Sequence, residues 1–186
     1  MSLRGFLASL FDLCRFQRGP EDMPYAPRLL VALLAGCVAV QSAFELHYGA
    51  KPVIVVAVAA GWLAVLGLLR ILLRGRGKPE RFMQTATALA SVTLLFDIVV
   101  YPLALLLPLQ QILAHQAAAE LTLSGAQTLA MFAIAALGVW ELCVWVATLR
   151  RSLELTLAGA VLMFLLLLIV NRLVAGVFAV AFGGLA

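Results

Sequence analysis

The chain has little charge for its length. Of its 186 residues, 12% are charged and 65% are hydrophobic, whereas soluble domains carry about 25% charged residues. A water-soluble fold has no means of hiding this much apolar surface. The scarcity of charge therefore excludes a soluble globular domain, and it predicts a protein for which the bilayer is the solvent.

The sequence also lacks the motifs on which many enzymes depend. It contains no glycine-rich phosphate loop and none of the HExxH, GxSxG or CxxC patterns. The gaps between its apolar stretches are too short to hold a soluble catalytic domain, so we expect no enzymatic activity. Its three cysteines are Cys14, Cys37 and Cys143. Because they are isolated from one another, we expect neither a metal nor any other cofactor.

What the chain has instead is five long apolar stretches. A hydrocarbon core about 30 Å thick needs about 20 helical residues to cross it. Stretches of about that length cover residues 29–46, 52–73, 84–107, 128–149 and 155–182. The predicted fold is therefore all-α, a polytopic bundle of five transmembrane helices in the lipid bilayer.

The basic residues predict the orientation of this bundle. All Lys and Arg residues except Lys51 and Arg172 lie before the first span, in the second gap and the last turn of the span before it, or in the fourth gap. Because Lys and Arg accumulate on the cytoplasmic side, we expect a cytoplasmic N-terminus and an extracytoplasmic C-terminus. The predicted location is the cell membrane, specifically a bacterial inner membrane. We expect no nucleic-acid partner, since the cations are not interleaved with exposed aromatics on a soluble face.

The second gap holds a group of cations that we call the basic loop. We expect it to contact anionic lipid headgroups, at about 1 kcal/mol per cation near the surface, or a partner protein. Its members are Arg70, Arg74, Arg76, Lys78 and Arg81.

Residues 1–28 are expected to form a module separate from the five-span domain of residues 29–186. Apolar residues recur at steps of three and four from Leu3 to Cys14, which predicts an amphipathic helix in the cytoplasmic interface. Gly19 and Pro20 are expected to end it.

A competing interpretation concerns the segment from Leu34 to Cys37. It has the form of a bacterial lipoprotein cleavage box, and processing there would remove the first span. Apolar character continues past Cys37 through Val40. This continuation favours an intact first helix.

Three ionisable residues fall inside spans, namely Asp97, Glu141 and Arg172. Such residues cost at least about 2.5 kcal/mol near the bilayer centre, so they carry functional weight. Asp97 lies about 20 Å and Arg172 about 27 Å from the cytoplasmic ends of their helices, an offset that an arginine side chain covers. We predict an ion pair between Asp97 and Arg172, helped by Asn171, with Glu141 left for solvent or another partner. The group is interpreted either as a structural pair or as a relay for protons or ions.

Two helix faces are predicted to meet other helices. In the third span, Thr93 and Asp97 share one face with small residues. In the fifth span, Ala175, Ala179 and Gly183 are spaced four apart, a pattern typical of close helix contact in membranes.

The connector from Gly19 to Pro24 reads Gly-Pro-Glu-Asp-Met-Pro, after an amphipathic segment and before five closely spaced spans. This layout resembles the small bacterial members of the YIP (Ypt-interacting protein) membrane family. The resemblance implies a membrane-embedded adaptor or organiser without enzymatic activity.

Two functions are compatible with these features. The first is an integral membrane protein that organises or interacts with a protein partner, or with a second copy of the chain. The second is a small transporter or channel subunit that uses Asp97, Glu141 and Arg172. A dry bundle with Asp97 against Arg172 would favour the first function, and an open polar cleft would favour the second.

Overall fold

The protein is all-helical over the residues that its computed structural model describes, which are 3–108 and 124–183. No strand occurs in these ranges. Two short 3-10 helices, Pro20–Asp22 and Pro79–Arg81, accompany the α-helices. The α-helices are α1 (Leu3–Cys14), α2 (Pro27–His47), α3 (Ile54–Gly75), α4 (Phe82–Ala104), α5 (Gly125–Leu153) and α6 (Leu157–Ala181).

Five of these helices, α2 to α6, are long and apolar enough to cross a membrane. Their ends lie within four residues of the predicted ones, which confirms the predicted fold class. Polar N-cap residues mark the first residues of two helices. The Ser124 side chain accepts a hydrogen bond from the Gln127 amide before α5, and Thr156 accepts one from Gly159 before α6.

Small residues hold α6 against α3. A Cβ atom placed on Gly61 of α3 would lie 3.0 Å from Asn171 Nδ2 and 3.4 Å from Ala175 Cβ. Further along, Ala179 is buried against Ala57. The predicted small-residue surface of α6 is therefore confirmed at Ala175 and Ala179.

The helices alternate in direction, so three segments that are rich in Arg and Lys meet at one end of the bundle. Arg151 Nη2 donates to the Phe16 carbonyl at 3.1 Å. Arg81 Nη1 donates to the Ser152 carbonyl at 3.4 Å. We call this end, where α2, α4 and α6 begin, the basic end, and we call the opposite end the distal end.

The N-terminal segment packs onto the spanning bundle. Leu10, Leu13, Cys14 and Met23 are buried in the same core cluster as the spanning helices. Helix α1 and the connector after it thus share the core of the five-helix domain. The prediction that α1 continues to Gly19 is wrong. The helix ends at Cys14 because the chain turns into a left-handed conformation two residues later, at a φ of 62°.

Candidate functional site

A cavity of about 690 Å³ opens in the distal half of the bundle, with walls from α2 to α6. On α4 its wall begins at Thr93, and on α5 it runs from Gly138 to Trp145. Most of the wall is apolar, but charged and polar groups lie on every helix. They are Gln41, Glu45, Trp62, Thr93, Asp97, Tyr101, Glu141, Trp145, Asn171 and Arg172.

Asp97 is held by a chain of hydrogen bonds from two other helices. The Trp62 indole on α3 donates to Gln41 Oε1 on α2 at 3.1 Å. The Gln41 amide nitrogen then donates to Asp97 Oδ2 on α4 at 2.8 Å. Since both groups of the Gln41 amide are used, its orientation is fixed, and the carboxylate is fixed with it.

Glu141 is held by a second chain of the same kind. The Trp145 indole on α5 donates to Thr93 Oγ1 on α4 at 3.1 Å. The Thr93 hydroxyl in turn donates to Glu141 Oε1 on α5 at 3.1 Å. Thr93 and Asp97 lie one turn apart on α4, so the predicted polar face of this helix positions both carboxylates.

Each chain reaches one oxygen of its carboxyl group, Oδ2 of Asp97 and Oε1 of Glu141. The Trp145 indole also lies within hydrogen-bonding reach of Glu141. The donors are all neutral groups, so they orient the two carboxyl groups without supplying a counter-charge. Unneutralised charge is costly inside a membrane, and a bound cation would remove that cost.

The predicted ion pair between Asp97 and Arg172 is wrong. Across residues 3–108 and 124–183, the ion pairs within 4 Å do not include these two side chains, although their charges are close enough to interact. Small residues hold α6 against α3, and the cavity lies between Arg172 on α6 and Asp97 on α4. The Asn171 side chain faces Gly61 of α3. Arg172 is exposed at the cavity wall.

The basic loop divides into two groups. Lys78 and Arg81 pair with Glu154, which follows α5 in a left-handed conformation. The Lys78 ammonium, with Arg81, holds the pKa of the Glu154 carboxyl below its usual range. These two cations therefore join loops of the protein. Of the other members of the loop, Arg74 and Arg76 are exposed.

The third exposed cation of the basic loop, Arg70, lies over an aromatic ring. Its guanidinium carbon is 5.9 Å from the ring centroid of Phe82. Contact with anionic headgroups stays a prediction for Arg70, Arg74 and Arg76.

Gln41 and Trp62 are site residues that the sequence analysis missed. Both carried a signal. Gln41 is an amide inside an apolar span. Trp62 lies near the middle of its span, whereas membrane tryptophans concentrate at the two interfaces. A polar or indole side chain at mid-span needs a partner, and here the two residues are each other's partner.

Comparison of the chain with protein families, with curated proteins and with solved structures gives no match. Within the described residues no three His, Cys, Asp or Glu side chains are grouped so that they could hold a metal ion. The chemistry of the site therefore has to be argued from its geometry.

Proposed function

We propose that the protein is a small transporter, or a subunit of one, that binds a polar solute in the cavity of the distal half. The observation that carries the proposal is the pair of acidic side chains, Asp97 and Glu141, which line one cavity and are each oriented by a chain of hydrogen bonds. They give a solute two acidic contacts inside a largely apolar pocket.

The charges favour transport over a purely organising role. Each ionised group inside the bilayer costs at least about 2.5 kcal/mol. An adaptor that acts through its loops and outer helix faces has no use for buried acids. Here, two chains of hydrogen bonds, each beginning at a tryptophan indole, hold such acids in place. A solute-binding site does use them, because an oriented charge binds its ligand without further reorganisation.

The cavity is closed towards the basic end. Every α4 residue from Thr85 to Thr93 is buried. Thr85 Oγ1 donates to Ser152 Oγ at 2.8 Å and so ties α4 to α5 beneath the cavity. A site that is sealed on this side fits one state of alternating access, in which the solute cannot reach the basic end.

Cysteine labelling tests whether water reaches the cavity. In a background without the three native cysteines, Gly138→Cys and Gly176→Cys introduce thiols on the cavity wall, at positions where a Cβ meets no atom within 4 Å. Gly67→Cys is the matched control, because Gly67 has the same free space and is exposed on α3 outside the cavity. A small membrane-impermeant thiol reagent should label positions 138 and 176 at least several times faster than position 67 in proteoliposomes. Equal, slow labelling at all three positions would mean a dry bundle and would contradict transport.

A further inference from the structure

We infer that the solute is a small organic cation, an amine or quaternary ammonium compound with an apolar body, and that Glu141 is its principal ion-pair partner. This inference rests on the proposed function, since it names the ligand of the same cavity. It follows from the charges that line the cavity, the nature of its aromatic walls and its size.

Acids outnumber bases among the residues that line the cavity. Glu45, Asp97 and Glu141 are acids, and Arg172 is the single base on the described wall. Arg172 lies in electrostatic range of Asp97, so it serves as a counter-charge to that acid. Glu141 has a hydroxyl donor, and in the part of the chain that the structure describes no Lys or Arg lies within 4 Å of it. A ligand that enters past Glu45 and reaches Glu141 is best matched to the site if it is positive.

The aromatic walls suit an ammonium group. The Trp62 and Trp145 ring centroids are 6.5 Å apart, and Phe164 lies edge-on to Trp145 at 5.9 Å. Both indole N–H groups are already donated, to Gln41 and to Thr93. The part of each ring that reaches the cavity therefore offers only aromatic surface, and it is small, since Trp62 is 5% and Trp145 9% exposed. Aromatic rings attract ammonium ions.

The size and donor set argue against an inorganic ion. A volume of about 690 Å³ lies in the range of pockets for small organic molecules. Ca²⁺ takes six to eight oxygen ligands and Mg²⁺ needs near-octahedral coordination. The described residues hold no group of three His, Cys, Asp or Glu that could supply a metal site. An organic cation fills the space and needs one or two carboxylates.

Arg172 distinguishes this ligand from a zwitterion or an anion. A zwitterionic or anionic solute would bind its negative group to Arg172, so Arg172→Gln would weaken binding. A simple cation is repelled by the guanidinium, so the same substitution should strengthen binding. The two classes thus predict opposite signs for one variant.

The experiment is ligand protection of the Gly138→Cys thiol. Benzyltrimethylammonium is the cationic probe, benzenesulfonate is its anionic counterpart, and benzyl alcohol is the neutral control. We expect the cation alone to slow labelling at position 138. Glu141→Gln should raise the half-protecting concentration at least about tenfold, as expected for loss of a buried charge partner. Arg172→Gln should lower that concentration, and Glu154→Gln, outside the cavity, should leave it unchanged.

The outcomes separate this inference from the proposed function. If position 138 is not labelled at all, water does not reach the cavity and both proposals fail. If it is labelled but is protected by benzenesulfonate, or by none of the probes, the ligand class is wrong while a water-accessible cavity stands. Glu141→Gln keeps an oxygen that accepts from Thr93, so the variant removes the charge and leaves the hydrogen-bond chain in place. An unchanged protecting concentration in this variant would exclude Glu141 as the ion-pair partner.

Discussion

The two halves of α4 differ in how the bundle encloses them. Towards the basic end, every residue from Thr85 to Thr93 is buried, whichever way its side chain points. Only one turn later, Ile98 is 55% exposed and Val99 is 43% exposed. The helix therefore runs from a closely packed half, which forms the floor of the cavity, into a half whose outer face is exposed. In this second half Asp97, Val100 and Tyr101 line the cavity, and Ile98 and Val99 lie outside it.

Side-chain size explains the difference. The buried half of α4 contains Ala86, Ala88 and Ala90, which let the neighbouring helices approach closely. Cys37 Sγ of α2 donates to the Ala90 carbonyl at 3.3 Å. The distal half instead presents Asp97 and Tyr101, which line the cavity. Small residues on α4 allow close helix packing towards the basic end, and polar residues line the cavity towards the distal end.

The largest expected loss of stability comes from placing a larger side chain in the buried half of α4. Ala90→Leu adds three carbon atoms at a residue with 0% exposure. Overpacking of a core typically costs about 1–3 kcal/mol, and we expect the upper end of that range at a fully buried residue. Gly138→Leu is the matched change in the open half, where a new Cβ meets nothing within 4 Å. Thermal unfolding in detergent should show a large loss of stability for Ala90→Leu and almost none for Gly138→Leu.

Equal losses for the two leucine variants would contradict the contrast between the halves. Such a result would mean that the cavity wall near Gly138 is packed as closely as the buried half of α4. Gain of stability at position 138 would fit the structure, since leucine has a higher helix propensity than glycine.

The sequence predicts the five helices and the small-residue surface of α6, because both depend on local composition and spacing along one helix. It also places Thr93 and Asp97 on one face of α4. It does not predict the cavity. Whether Asp97 contacts Arg172 or Gln41 depends on the distances from α4 to α6 and to α2. The spacing of residues along one helix does not determine the distance between helices.

A smaller effect is expected from the hydrogen-bond chains that distinguish the distal half. Thr93→Val removes the hydroxyl that joins Trp145 to Glu141. Hydrogen bonds between membrane helices average about 0.6 kcal/mol, so the loss of two should lower the unfolding free energy by about 1 kcal/mol. The same substitution at Thr148 is the control, because Thr148 Oγ1 is buried and has no hydrogen-bond partner among the described residues.

Thr148→Val should be neutral or stabilising, since it removes an unpaired buried hydroxyl. Unfolding in mixed micelles measures both variants on one scale. If Thr148→Val destabilises as much as Thr93→Val, the cost reflects the shape of the side chain, and the hydrogen-bond chain through Thr93 contributes nothing measurable.

The smallest effect is expected at the surface of the basic end. Lys78 and Arg81 hold the pKa of Glu154 below its usual range. A carboxyl whose pKa is lowered by folding stabilises the protein at neutral pH, and the contribution is lost as the pH falls through the lowered pKa. The unfolding midpoint of the wild-type protein should therefore exceed that of Glu154→Gln at pH 7, and the two should converge in acid, once the pH has fallen below the lowered pKa of Glu154. Glu80→Gln is the control for removal of a loop acid, because Glu80 is exposed and has no ion pair in the described residues; it should leave the midpoint at pH 7 unchanged. A difference in unfolding midpoint between wild type and Glu154→Gln that persists in acid would contradict a role for the ion pairs. It would have to come from the left-handed backbone conformation at position 154.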